Sequence, residues 1–160
     1  MIPEEAAKLI GKTDAPVVLQ VEKGAIKKYA DAVDDRNPLY WDDEYASNSR
    51  YSSIMAPPCF FGWPVHWTGV VPFYIKDSVG NLALEAMSKA GFPYILDGGV
   101  EYEFFLPVRA GDILISSCKL AEMNERESKG NKLIFCILES TFTNQNGAVV
   151  FKQRQTIICR

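Results

Sequence analysis

Val100-Glu101-Tyr102-Glu103-Phe104 alternates apolar and acidic side chains. Successive side chains on a strand point to opposite faces, so this period of two is what a half-buried β-strand requires. Pro107 and the turn Ala110-Gly111-Asp112 close the strand. Beyond the turn, Ile113 to Ala121 and Lys132 to Thr143 read as further strands joined by the polar segment Glu122 to Asn131. Asn146-Gly147 is a hairpin signal, since both residues tolerate the positive φ of a tight turn, and it leads into a last strand, Ala148 to Ile158. The second half of the chain is expected to form a meander of consecutive antiparallel strands.

Toward the N-terminus the pattern changes. Residues 69 to 95 mix Gly, Pro and aromatics and read as a cover or insertion, with a helix from Leu82 to Ala90 that ends on Gly91 as its C′ residue. Pro16 to Val21 is an apolar run suited to a first strand. After Gly24, the residues Ile26, Tyr29, Ala30 and Val33 fall at i, i+3, i+4 and i+7, one face of a helix. Asp34 to Asp43 reads as a structured loop, because the residue before a proline is driven out of the helical region. A short helical turn is expected over Tyr45 to Tyr51, and Ala56-Pro57-Pro58 opens another helix, which Pro64 interrupts. Helices followed by consecutive strands indicate an α+β fold with helix packed on one face of a sheet. The chain, residues 1–160, reads as one domain whose open sheet edge a second copy or a relative would complete.

The composition excludes several function classes. The formal charge of −3, with Lys and Arg scattered between carboxylates, supplies no basic field for nucleic acid. No apolar stretch approaches the roughly 20 residues that span a bilayer, and the acidic start MIPEEAAKLIGK is unlike a signal peptide, so a cytoplasmic location without membrane attachment is expected. Cys59, Cys118, Cys136 and Cys159 show no CxxC spacing and read as reduced, mostly buried thiols. A single histidine rules out a His-based metal cluster, and nothing points to another metal.

Tyr29-Ala30-Asp31-Ala32-Val33-Asp34-Asp35-Arg36-Asn37-Pro38-Leu39-Tyr40-Trp41-Asp42 resembles the signature of R-specific enoyl-CoA hydratases and MaoC-like dehydratases. That signature runs aromatic, a few residues, Gly-Asp-x-Asn-Pro, an aliphatic, then His and an acid. Ser53 to Phe60 resembles the start of the family's central helix, and Leu106-Pro107-Val108-Arg109-Ala110-Gly111-Asp112-Ile113-Leu114 its Pro-Val-x-x-Gly-Asp-x-Leu turn. Ala56-Pro57-Pro58 and Leu96-Asp97-Gly98-Gly99-Val100-Glu101-Tyr102 are similar to the branch related to the dehydratase domain of type I fatty acid synthases. The matches run in order over most of residues 22 to 158. The resemblance implies a hot-dog fold, a sheet wrapped round a central helix, dimerised so that an acyl-thioester tunnel lies between subunits. It further implies a substrate carried on coenzyme A or acyl carrier protein, with no other cofactor.

Syn addition of water to an enoyl thioester needs a base for the water, an acid for the α carbon and donors for the enolate oxygen. By resemblance, an Asp and a His five residues later hold the water, and a backbone N–H at the central helix supports the thioester oxygen. Carried over by position, these are Asp35, with Asn37 as support, and Tyr40 in place of the histidine. A phenol with a pKa near 10 is a poor proton shuttle at neutral pH compared with an imidazole near 6.5. Ala56-Pro57-Pro58-Cys59 stands where the family has Ala-His-Gly-Met, and Pro58 has no N–H to offer, although an offset of one residue brings in that of Cys59. The half-site of this chain therefore reads as degenerate, and a heterodimer with an active hot-dog subunit is expected; alternatives are a homodimeric hydratase using Asp35 with Tyr40 or His66, a thioesterase, and a binding or assembly module.

The candidate catalytic positions are Asp35, Asn37 and Tyr40, and the candidate substrate-binding positions Ala56, Pro58, Cys59, Trp63 and His66. Each has a plainer reading: Asp35 and Asn37 as turn formers, Tyr40 and Trp41 as packing, His66 as a hydrogen-bonded structural residue. Glu101 and Glu103 read as a solvated strand face. Arg109 and Lys119 are either contacts for coenzyme A phosphates or surface charges. Phe60, Phe61, Trp63, Trp67, Phe73 and Tyr74 either line an acyl pocket or form the core.

Overall fold

The computed structural model describes residues 1–58, 60 and 78–160. Along the chain the described elements are α1 (Glu4–Ala7), β1 (Val17–Gln20), α2 (Lys23–Ala32), a 3-10 turn (Pro38–Tyr40), α3 (Asp43–Asn48), α4 (Val79–Lys89), β2 (Ile95–Phe104), β3 (Ile113–Ser128), β4 (Asn131–Asn144) and β5 (Val149–Cys159). The strands form one antiparallel sheet in the order β1-β3-β4-β5-β2. The α+β class expected from the helix and strand patterns is observed.

Three details differ from the expectation. Glu122 to Asn131 is not a connecting segment: β3 continues through Ser128 and pairs with β4 as far as Ser128 opposite Asn131. The turn is only Lys129-Gly130, both at positive φ (51° and 76°), as a two-residue hairpin matched to strand twist requires. The polar residues before it, on a strand arm whose side chains are solvated, conceal the strand from a reading based on apolar alternation. Second, β2 does not lead the meander. It crosses to the far edge of the sheet and pairs with β5, from Ile95 opposite Cys159 to Phe104 opposite Phe151, while the returning segment is tied down by Ala56 N–H to Val108 O and Ala110 N–H to Ile54 O, both 2.9 Å. Third, the alternation of β2 is real but its burial is not: Tyr102 alone of the apolar set is half-buried, with Val100 42% and Phe104 50% exposed, because β2 is an edge strand. Glu101 and Glu103 are exposed as expected, Glu101 lying opposite Arg154. The short α1 has no counterpart in the expectation, and the helix expected after Pro58 falls outside the described residues.

Among the described residues, two groups of buried side chains are seen. One joins Leu19, Val21, Ile26, Phe60, Leu114, Phe142 and Phe151, with Phe142 and Phe151 stacked at 4.1 Å. The other packs Ala6 of α1 and Val79, Ala83 and Met87 of α4 against Leu120, Ile134, Cys136 and Cys159 on the sheet. Helix α4 is held at its start by two caps, since Ser78 accepts from Asn81 N–H and the distant Asp14 carboxylate accepts from Val79 N–H at 2.6 Å. It ends as expected, with Gly91 at φ 92° just beyond it. Cys118, Cys136 and Cys159 are free thiols, the last two buried, while Cys59 lies outside the described residues. The hydrogen bond that the Cys136 thiol donates to Cys159, together with burial, pushes the Cys136 thiol well up, away from ionisation.

Candidate functional site

The position of Asp35 is set by the way α2 ends. Asp34 N–H bonds to Asp31 O at 3.1 Å and Asp35 N–H to Ala30 O at 2.9 Å, the paired hydrogen bonds of a Schellman motif. This motif needs its C′ residue in the left-handed region, and Asp34 takes it at φ 53°. The signature that this segment resembles has glycine there, the residue for which that conformation is free of strain. Aspartate is among the few others that adopt it, and its carboxylate here pairs with Arg36 at 2.8 Å. Val33, expected on the buried helix face, is instead the exposed C-cap of α2.

Beyond the motif the loop is locked by side-chain to backbone bonds. One Asp35 carboxylate oxygen accepts from Asn37 N–H at 3.1 Å, the Asp35 carbonyl accepts from the Trp41 indole at 2.8 Å, and Asn37 Oδ1 accepts from Leu39 N–H at 3.1 Å. Asn37 is thus the N-cap of the 3-10 turn, with Pro38 as its first residue, and its carboxamide oxygen is engaged in the loop. Asp35 is half-buried and Asn37 exposed. Tyr40 follows on the same turn, half-buried against the first core group. Burial, then the nearby Asp35 carboxylate, then Tyr51 push its phenol pKa up, so Tyr40 is protonated at neutral pH. It can donate a hydrogen bond but not serve as a base.

Tyr40 opens onto a cleft of about 440 Å³, lined also by Leu39, Arg50, Tyr51, Met55, Ala56, Pro57, Pro58 and the stretch Phe104 to Val108. The structure therefore brings Tyr40, Ala56 and Pro58 to one cavity, with Asp35 beside Tyr40. Cys59, Trp63 and His66 lie outside the described residues. Ala56 N–H is committed to Val108 O, and Pro57 and Pro58 have no N–H, so from Ala56 to Pro58 no amide hydrogen is left to face a ligand oxygen. Phe60 is a core residue, 3% exposed, packed edge-on against Tyr29 at 5.6 Å; Phe61, Trp63, Trp67, Phe73 and Tyr74 lie outside the described residues. Lys119 is exposed, and Arg109 is half-buried on the returning segment.

Sequence reasoning missed Arg50, Tyr51 and the cleft wall formed by Phe104 to Val108. Leu106-Pro107-Val108 was visible as a turn motif, but only the crossing of that segment beneath Ile54 to Ala56 makes it part of a cavity. Among the described residues no group of His, Cys, Asp and Glu is placed to hold a metal ion, and no helix is long and apolar enough to cross a membrane.

Residues 8–153 match the family model of the FAS1-like dehydratase domain region. A UPF0336 protein of Thermobifida fusca is 24% identical over 148 residues, covering 92% of this chain and 88% of that protein. Among solved structures, a chain of the ChsH1-ChsH2 complex from Mycobacterium tuberculosis superposes with a TM-score of 0.82 at 20% identity, covering 97% of this chain and 88% of that one. The HadBC (3R-hydroxyacyl-ACP dehydratase) complex from the same organism gives 0.68 at 19% identity, covering 94% and 96%. A MaoC-like dehydratase gives 0.69 at 24% identity, covering 96% of this chain and 43% of that one. The fold shared with them is the hot-dog fold, and the chain belongs to the FAS1-like dehydratase-domain family, among the MaoC-like hot-dog proteins.

Proposed function

We propose that this chain is a subunit of an R-specific enoyl-thioester hydratase or 3-hydroxyacyl-thioester dehydratase that leaves the chemistry to an active hot-dog partner and completes that partner's acyl tunnel. The substrate arrives as a thioester of coenzyme A or acyl carrier protein and exchanges water reversibly, with no further cofactor. The observation that carries the reading is the pairing of Asp35 with a protonated phenol, Tyr40, where the family pairs Asp with His. Water activation at neutral pH needs a group that gains and loses a proton near pH 7, and a phenol held above its ordinary value does neither. The run Ala56 to Pro58, without an available amide, supports the same reading, because an enolate oxygen facing it meets no backbone donor. Two-subunit complexes among the structural neighbours, ChsH1-ChsH2 and HadBC, favour a two-subunit assembly for this chain as well.

The test is hydration of crotonyl-CoA followed by loss of enoyl-thioester absorbance, first with this chain alone and then with a second hot-dog chain, from a neighbouring reading frame, that carries intact Asp and His. Background rate alone and full rate in the mixture is the expected result. Full activity of this chain alone, abolished by Asp35→Asn, overturns the proposal and assigns a self-sufficient hydratase.

A further inference from the structure

We infer that Arg50 is the anion-recognising residue of the cleft and takes a phosphate of the carrier arm to which the acyl thioester is attached; this rests on the functional reading above. Among the described residues, those lining the cleft are apolar except for three, the phenols of Tyr40 and Tyr51 and the guanidinium of Arg50, and no carboxylate is among them. A cavity of that composition favours a ligand that is apolar over most of its length and negatively charged at one place. A phosphopantetheine thioester has that distribution, with an acyl chain and a phosphate at opposite ends of a nearly uncharged arm.

Arg50 is suited to the charged end. Its guanidinium stacks over the Tyr51 ring at 4.7 Å and donates from Nη2 to the Tyr51 hydroxyl. Stacking and one hydrogen bond hold the planar group in place without neutralising it, and a guanidinium has further N–H donors that match the fork of two phosphate oxygens. Arg36 and Arg154, by contrast, are each held between two carboxylates, Asp31 and Asp34 in one case and Glu122 and Glu139 in the other. Among the described residues no carboxylate lies within ion-pair distance of Arg50. A pre-oriented cation at an apolar cleft, without a carboxylate partner among the described residues, is suited to recognition of a phosphate.

Calorimetric titration of the purified chain with crotonyl thioesters of pantetheine, 4′-phosphopantetheine and coenzyme A tests the inference, using wild type, Arg50→Gln and Arg50→Lys. Arg50→Gln is expected to weaken phosphate-bearing ligands about tenfold, the value of one charge-assisted contact, to leave the pantetheine thioester unchanged, and to be partly rescued in Arg50→Lys. A loss common to the phosphopantetheine and coenzyme A ligands assigns the 4′-phosphate, which carrier protein and coenzyme A share. A loss confined to coenzyme A assigns its nucleotide phosphates. Equal weakening of all three ligands, or of none, overturns the role of Arg50 and leaves the functional reading standing. If wild type binds none of the three, the inference falls, while the functional reading, which places the tunnel between two subunits, is decided by the hydration assay of the mixture.

Discussion

The carboxylate singled out by resemblance, Asp35, is placed by its neighbour. Asp34 holds the left-handed conformation that ends α2, and a side chain in that region carries backbone strain that glycine avoids. Its ion pair with Arg36 is exposed and screened, so it offsets little of that strain. Asp34→Gly is therefore expected to raise stability by on the order of 0.5 kcal/mol, read from the urea midpoint at constant slope. Tyr40 gives a second residue-scale outcome. Its phenol pKa lies above the ordinary value of 10.0 in the folded chain. The stabilisation linked to the neutral phenol is thus complete below that value and is lost as pH rises through the folded-state pKa. Thermal midpoints measured from pH 8 upward should fall more steeply above about pH 10 for wild type than for Tyr40→Phe. Identical slopes would show that the phenol is not desolvated in the fold.

At the scale of elements, β2 begins with a bulge that its glycines make possible. The register of β2 against β5 shifts between Asp97 and Gly99, and Asp97 Oδ1 accepts from Gly99 N–H at 2.9 Å across it. A β-carbon on Gly98 would lie 2.8 Å from Thr156 Cγ2 and 3.0 Å from the Thr156 carbonyl oxygen. The methyl can rotate away, but the carbonyl belongs to the ladder and cannot. Gly98→Ala is expected to cost about 2 kcal/mol, measured by chemical denaturation, and a neutral outcome would mean that the strand slides at the bulge. Asp97-Gly98-Gly99 was legible as a motif approaching a strand, yet its reason, the close passage of β5, is not local. The Lys129-Gly130 turn was illegible for the opposite reason. Its φ values are those of a hairpin turn, but lysine is not a residue that announces one.

For the molecule as a whole, the uncovered surface of β2 and the segment after it is the prominent feature. Ile95, Leu96, Val100, Phe104, Phe105 and Leu106 are each more than 40% exposed, along an edge strand that has β5 on one side only. A long apolar edge in water invites pairing with another chain. Val100→Lys is expected to change the stability of the isolated chain by less than about 1 kcal/mol, because the side chain is already half in water. The same substitution should abolish co-purification with a hot-dog partner and leave the chain monomeric in sedimentation velocity. Retained association would place the interface elsewhere.

The α+β class, the helix of residues 23–32, the helix that ends at Gly91, most strands and the Asn-Pro loop were determined by sequence alone, because each depends on contacts within a few residues: periodicity, caps and turn conformations. The substitutions Tyr40 and Pro58 were equally visible there. What only the tertiary structure decided is non-local. It carried β2 to the far edge, tied the segment after Phe104 to Ile54 and Ala56 to make a cleft, and set Arg50 and Tyr40 in the lining of that cleft. Pairing across a sheet and burial between distant segments depend on which chains meet in space, and no local pattern of residues encodes that meeting.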